Sequence, residues 1–449
     1  MFSKQTKKEP PHLLHLSCPS QTRTQKEGSL MAIIQQPTLF DIEILEQLDI
    51  EEKYLEIFSP LDLSTLVGLF QKETSVGAPI SVNYEAAIRA LIISYLEAIP
   101  DVKTLVTRIK SDLRFKLSLG FLYSDRTPSE ATFSRILHTL SEHRSSLLDV
   151  NNRLLRQIDN VFDIFGEDVA IDATAIESHS KPRIIEKPIV SSVEKQYTMT
   201  TEDIKKELSI DPQWGIKVNS KGKNVFWHGY KAHLAVTTKS QYILSSILTS
   251  AHIADMSVAI PLIRDVNRLG LANIHMIFDK GYDVKALYEE AHILDFEPII
   301  PLKRVAKNDG EWTTEYAPTC LIEEGYTYDS FDKRYGALKY TLPEKRCRSC
   351  PLQNEGLCQK IIKIKQQTDP RKFNHPARGT HSWKKLYAKR SAVERVNGDL
   401  KENMKLNQTT HYKAELVEIE LLLIQLAYNV KRYAVQRLNN QKLEKETAS

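Results

Sequence analysis

No apolar run in this 449-residue chain approaches the roughly 20 residues that a membrane-spanning helix needs. The longest, around Leu421 to Ala427, is short and amphipathic. No internal repeat is visible, which argues against solenoid and propeller architectures. Cysteine is scarce: five residues, an odd number, with no secretory signal. A disulfide-built secreted domain is therefore disfavoured, and a reducing, cytoplasmic setting is expected. Charge of one sign is also lacking in the total, since the net charge is only +4. The total alone identifies no partner.

What is present is ordinary globular composition, 41% hydrophobic and 26% charged, with length for two or three domains. The charge is unevenly spread. From Arg371 to Lys405 ten Lys/Arg face three Asp/Glu, an excess of seven. Such a patch suits a polyanion such as DNA; a solvated helix face would look the same. Residues 1–30 are polar and basic apart from Leu13 to Leu16. A disordered tail over about 1–40 is expected, with Met31 as an alternative start.

Residues 41–160 read as helices and are the candidate DNA-binding domain. SVNYEAAIRALIISYLEAIP (81–100) has apolar residues at helical spacing and ends at a proline. Asp101 is placed to cap the next helix, and Ser129 to cap one carrying Phe133, Ile136, Leu137 and Leu140. A helix-turn-helix-like module and a plain bundle both fit.

The pattern changes at Asp168. DVAIDATAI predicts a buried strand, and residues 178–222 a long loop rich in Lys, Pro and Ser. Two strands follow, VFWHGYKAHLAVTT and YILSSILTSAH, then helix MSVAIPLIRDVNRLG, strand NIHMIFDKGYD, helix VKALYEEAHILDF and strand EPIIPLK. Strand, strand, strand, helix, strand, helix, strand is the order of an RNase H-like mixed α/β sheet, here assigned to 161–304. Residues 305–375 read as a β-rich insertion. After Thr380 a long helix is expected, then an amphipathic one over Ala414 to Leu438, closing the core at 376–438. Residues 439–449 are expected to be a disordered tail.

Two aspartates stand at strand ends: Asp172 in AIDATAIES and Asp279 in MIFDKGYD, with Gly281 expected to allow a tight turn. Each also suits a cap. Carboxylates placed together repel unless a cation separates them, and Mg²⁺ is the natural hard ion for them. At about 100° per residue, Tyr387, Arg390, Glu394 and Lys401 fall within an arc of roughly 60° on one helix. With Asp172 and Asp279, Glu394 would complete a two-metal site for phosphodiester chemistry. The neighbouring cations would hold phosphates. An i,i+4 surface pair, Arg390–Glu394, is the simpler reading of that helix.

The motifs AIDAT, HGYKAH and FDKGYD, and the spacing Tyr387-x2-Arg390-x3-Glu394-x6-Lys401, together resemble the DDE transposases of bacterial insertion sequences. The resemblance spans about residues 40–435. It implies that Asp172, Asp279 and Glu394 bind two Mg²⁺ or Mn²⁺ ions. It also implies cleavage at terminal inverted repeats and joining of the 3′-OH to target DNA, in some members through a hairpin intermediate. Tyr387, Arg390 and Lys401 would contact phosphates near the cut end, and Lys231 and His233 would serve DNA or structure. A homodimer or higher oligomer bridging two DNA ends is implied, in a cytoplasmic, nucleoid-associated bacterial protein. A metal-dependent endonuclease without strand transfer shares this site. A non-catalytic DNA-binding derivative would be expected to have lost a carboxylate.

Cys347-x2-Cys350-x7-Cys358, with Cys320 upstream, could close a tetrahedral structural Zn²⁺ site, with His375 or His381 replacing one thiolate. Reduced, unligated thiols satisfy the same pattern.

Overall fold

Short polar side chains start the N-terminal helices, at Asp101 and Ser129 as the sequence predicts and at Asn83 as well. Asn83, Asp101 and Ser129 each accept a hydrogen bond from a first-turn backbone N–H. In this computed structural model, residues 52–448 are described except 72–81, 184–188, 219–220, 272–273, 304–309 and 353–354. The expected tail over 1–40 lies outside them. The helices are α1 (Glu52–Phe58), α2 (Ser64–Gly68), α3 (Tyr84–Leu96), α4 (Val102–Ser111), α5 (Leu113–Ser118), α6 (Glu130–Glu142) and α7 (Arg144–Phe162). Asp112, a second capping carboxylate accepting from Phe115 N–H, splits the segment after Asp101 into α4 and α5.

The sheet begins with β1 (Val169–Glu177). Residues 178–222, expected as loop, instead hold α8 (Val193–Gln196), α9 (Thr201–Glu207) and strand β2 (Gln213–Val218). Ser192 and Thr200 cap the two helices, so local capping chemistry beat the loop-like composition. Next come β3 (Asn224–Thr237), β4 (Ile243–Ser250), α10 (Ala259–Arg268), β5 (His275–Ile277), α11 (Lys285–Ile293) and β6 (Glu297–Ile299). The order across the sheet is β4-β3-β1-β5-β6, with β2 also on β3. β1 runs antiparallel to β3 and parallel to β5, and β5 runs parallel to β6. β3 offers one edge to two partners: residues 224–229 pair with β2, and 230–236 with β4. Gly229 makes the close approach to β1 possible. Its φ is +157°, and a Cβ there would lie 2.2 Å from the Ile176 carbonyl oxygen.

The insertion is a separate antiparallel sheet, β7 (Thr327–Asp332), β8 (Ala337–Thr341) and β9 (Ile361–Lys365), with the short α12 (Glu344–Cys347) between β8 and β9. It has its own small cluster of Tyr326, Leu338, Tyr340, Phe373 and Ala377.

The single long helix expected after Thr380 is two, α13 (His381–Ala388) and α14 (Ser391–Asn403). Between them the N–H groups of Lys389, Arg390, Ala392 and Val393 all donate to carbonyls three residues back, a tightened 3₁₀ step. The last helix, α15 (Ala414–Ala448), runs past the Leu438 end assigned to it and through the tail expected to be disordered. α15 packs on α3, α6, α7 and β4. Asn429 fixes it to the sheet, accepting from Ile243 N–H (2.9 Å) and donating to Ile243 C=O (2.9 Å). One hydrophobic core therefore runs from Tyr54 through the sheet to Tyr433. No helix among the described residues is long and apolar enough to cross a membrane.

Candidate active site

Register brings the two aspartates level. Ala170 of β1 pairs with Ile277 of β5, and Asp172 and Asp279 each lie two residues further on. Asp279 ends its strand as a cap, its carboxylate accepting from Lys280 N–H at 2.7 Å, so the cap and the site are the same residue. Gly281 is not needed sterically: its φ is not left-handed, and a Cβ there would meet open space.

Glu394 arrives from α14. Arg390 joins the groups, with Nη2 2.5 Å from Glu394 Oε1 and Nη1 3.7 Å from Asp172 Oδ2. The expected i,i+4 surface pair is thus real, and the same guanidinium also reaches β1. Tyr387 lies beneath it: Arg390 sits 6.0 Å from the Tyr387 ring centroid, and Trp383 stacks on that ring at 5.4 Å. These positions share one neighbourhood although they do not share one straight helix.

Charge is unevenly satisfied here. Burial pushes the Asp172 carboxyl up to about 6; the Ala173 N–H and Arg390 pull it down, while Asp255 and Asp279 add repulsion. Tyr282, buried among Asp255, Asp172 and Asp279, has its phenol pushed well up for the same reasons. Asp255 is a fourth acid that sequence reasoning did not single out. Its signal, an acid just after a strand in HIADMS, was present but not distinctive.

Lys231 and His233 both have partners within the protein. Lys231 Nζ is held by Ile253 C=O and Asp255, both at 2.8 Å. His233 is fully buried and bonded to Thr249 at 2.8 Å, and burial depresses its ring to about 4. Lys401 lies at the far end of α14, where burial and the nearby Lys217 lower its ammonium pKa against the pull of Glu177.

A residue outside the predicted site aims the whole group. Asp168, at the foot of β1, accepts from His275 N–H (3.0 Å), contacts His275 Nδ1 (2.8 Å) and accepts from Lys389 Nζ (2.5 Å). Lys389 immediately precedes Arg390, so this contact ties the α13–α14 step to the sheet.

Hard carboxylate oxygens from three elements suit Mg²⁺ or Mn²⁺ in chemistry, and the raised Asp172 carboxyl marks a place short of positive charge. Arg390 stands among the three acids, and among the described residues no group of three or more His, Cys, Asp or Glu is set to hold a metal ion. That statement covers Cys320, Cys347, Cys350 and Cys358 too. They are free, partly buried thiols. Burial and then the other three raise the Cys347 thiol. His375 is engaged elsewhere, bonded to the Tyr328 hydroxyl and stacked on Phe331.

Residues 164–430 match the family model described as "Transposase DDE domain", and residues 43–139 match "Transposase domain (DUF772)". Among curated proteins none matches. Among solved structures, a cryo-EM structure of the piggyBac transposase synaptic complex with hairpin DNA is similar. It is 10% identical, with 86% of this chain and 76% of that chain covered, at a TM-score of 0.37.

Proposed function

The chain belongs to the Transposase DDE domain family, and from that premise we propose that it is a metal-dependent DNA transposase. In this reading it binds the terminal inverted repeats of an insertion sequence, cleaves the ends and joins the 3′-OH to target DNA. The observation that carries the reading is that one guanidinium, Arg390, pairs with Glu394 of α14 and reaches Asp172 of β1, while Asp279, just past β5, lies near enough to act on its charge. The strand order β4-β3-β1-β5-β6 supports an RNase H-like core.

Asp172, Asp279 and Glu394 would hold the ions. When bound, Mg²⁺ or Mn²⁺ supplies Lewis acidity at the scissile phosphate. The chain's own residues do the rest. Arg390 neutralises two of the acids at rest, and a forked guanidinium is equally suited to a phosphate. Transfer of Arg390 from Glu394 to DNA would free that carboxylate as substrate arrives. Trp383 braces Tyr387, which backs Arg390. Lys401 adds a cation at the other end of α14. Two ends must be processed together, so an oligomer on DNA is part of the proposal.

The test is a cleavage assay on DNA carrying the element's own ends, with and without Mg²⁺, for the wild type and Asp279→Asn. Metal-dependent nicking that the variant loses is expected. A pre-cut donor with a free 3′-OH then separates transposition from simple endonuclease action: joining to target supports the former, and cleavage without joining the latter. Metal-independent cleavage, or full cleavage by the variant, would count against the site.

A further inference from the structure

The ribbon formed by β2 and the first half of β3 has two unlike faces. Directly opposed residues share a face. Trp214 opposes His228, Ile216 opposes Phe226, and Gly215 opposes Trp227. The face with Gly215 is finished. Trp227 is 7% exposed, its indole N–H donates to Tyr230 C=O at 3.2 Å, and its ring lies where a Gly215 Cβ would be only 2.5 Å away. The other face is bare: Trp214 is 56% exposed, Ile216 56%, Val218 66% and Phe226 62%.

The ribbon also overhangs its neighbours. β1 pairs with β3 only from Gly229 onward, and β4 only from Tyr230 onward, so residues 224–228 pair with β2 alone. Its root lies at Glu177, the C-terminal end of the strand that carries Asp172. Lys217 lies close enough to Lys401 to help lower that ammonium's pKa. The ribbon is therefore continuous with the phosphate-binding face of the proposed site. From Gln213 to His228 it carries Lys217, Lys221 and Lys223 and no acidic residue.

Resting on the transposase reading, we propose that this ribbon is a DNA-binding element. In it, Trp214 and Phe226 stack on bases unpaired beside the cut site, and the ribbon lysines, Lys217 from the Trp227 side, face the adjoining phosphates. Exposed aromatic faces take bases of any sequence, and nearby cations follow the backbone. Apolar side chains such as Ile216 and Val218 suit a partly unstacked step. A second copy of the chain fits this face less well, because mutual pairing would bring together two ribbons whose Lys, Arg, Asp and Glu side chains are all lysines.

The test uses the full-length protein with Trp214→Ala/Phe226→Ala, and separately Lys217→Gln/Lys221→Gln/Lys223→Gln. Anisotropy is read on a fully paired duplex and on the same duplex with a single-stranded overhang containing 2-aminopurine. The aromatic pair should lose about tenfold or more on the overhang probe and little on the paired one. The 2-aminopurine quench should disappear, while the melting temperature stays at the wild-type value. The lysine variant should weaken on both probes and lower the salt slope. Wild-type affinity of the aromatic variant for the overhang probe sinks this inference alone. Wild-type protein binding neither probe sinks it together with the transposase reading. A DNA-free dimer that the aromatic variant turns into monomers would give the face to a second copy and overturn the proposal.

Discussion

Asp168, just before β1, and Asp172, within it, lie four residues apart and have opposite fates. Burial acts against ionisation at both. At Asp168 it is outweighed by the His275 and Lys389 contacts, which hold the carboxyl far below its usual range. At Asp172 one distant guanidinium and one backbone N–H do not suffice, and the carboxyl is pushed up to about 6. The foot of β1 is a saturated ion cluster; the acid in its middle is only partly compensated. A fold can build both from the same residue type, because what differs is the number of donors each backbone position meets.

The strongest way to break that contrast is to neutralise Asp172. Asp172→Asn should lower cleavage by at least about a thousandfold while leaving DNA binding and melting temperature near the wild type. A large loss of stability instead would make Asp172 structural. Asp168→Asn should do the reverse, costing on the order of 2–3 kcal/mol in stability, since it leaves buried donors unmatched. Cleavage would suffer too as the Lys389–Arg390 step loosens. Urea denaturation reads the stability term. Because the Asp168 pKa is depressed in the folded state, its contribution should be full above the unfolded value and fade as pH falls below about 4.

A third acid sharpens the rule in the other direction. Glu420 on α15 accepts from the Thr409 hydroxyl at 2.5 Å, yet burial outweighs that bond and Lys405, and raises its carboxyl to about 7 from an ordinary 4.5. Between those values the folded state holds the extra proton, so stability should fall as pH rises from about 4.5 to 7 and then level off. Glu420→Gln should remove that slope and be more stable than wild type at pH 8 by on the order of 2 kcal/mol, as thermal melts across pH would show. The smallest effect is expected at the far end of α14: Lys401→Gln should weaken DNA binding a few-fold and lower the salt slope by about one charge. An unchanged slope would remove Lys401 from the phosphate contacts.

Much of this arrangement was legible in the residues. Asp101 and Ser129 announced their helices because capping is a local contest that short polar side chains win. β-branched runs marked β1, β3 and β4 for a similarly local reason. The strand β2 was hidden, because a Lys- and Ser-rich segment becomes a strand only when β3 offers an unpaired edge. The break between α13 and α14 was hidden as well, since 3.6-residue periodicity does not reveal a 3₁₀ step.

Local pattern set which residue types would be available: acids delivered by apolar strands, cations spaced along a helix, and caps at defined turns. Tertiary structure alone decided which acids were quenched. Whether a carboxylate is held ionised, as Asp168 is, or pushed up by burial, as Asp172 is, depends on donors such as Lys389 and His275. Those donors come from 221 and 107 residues away along the chain. No local pattern encodes that proximity; only the packing of α13, α14 and β5 against β1 supplies it.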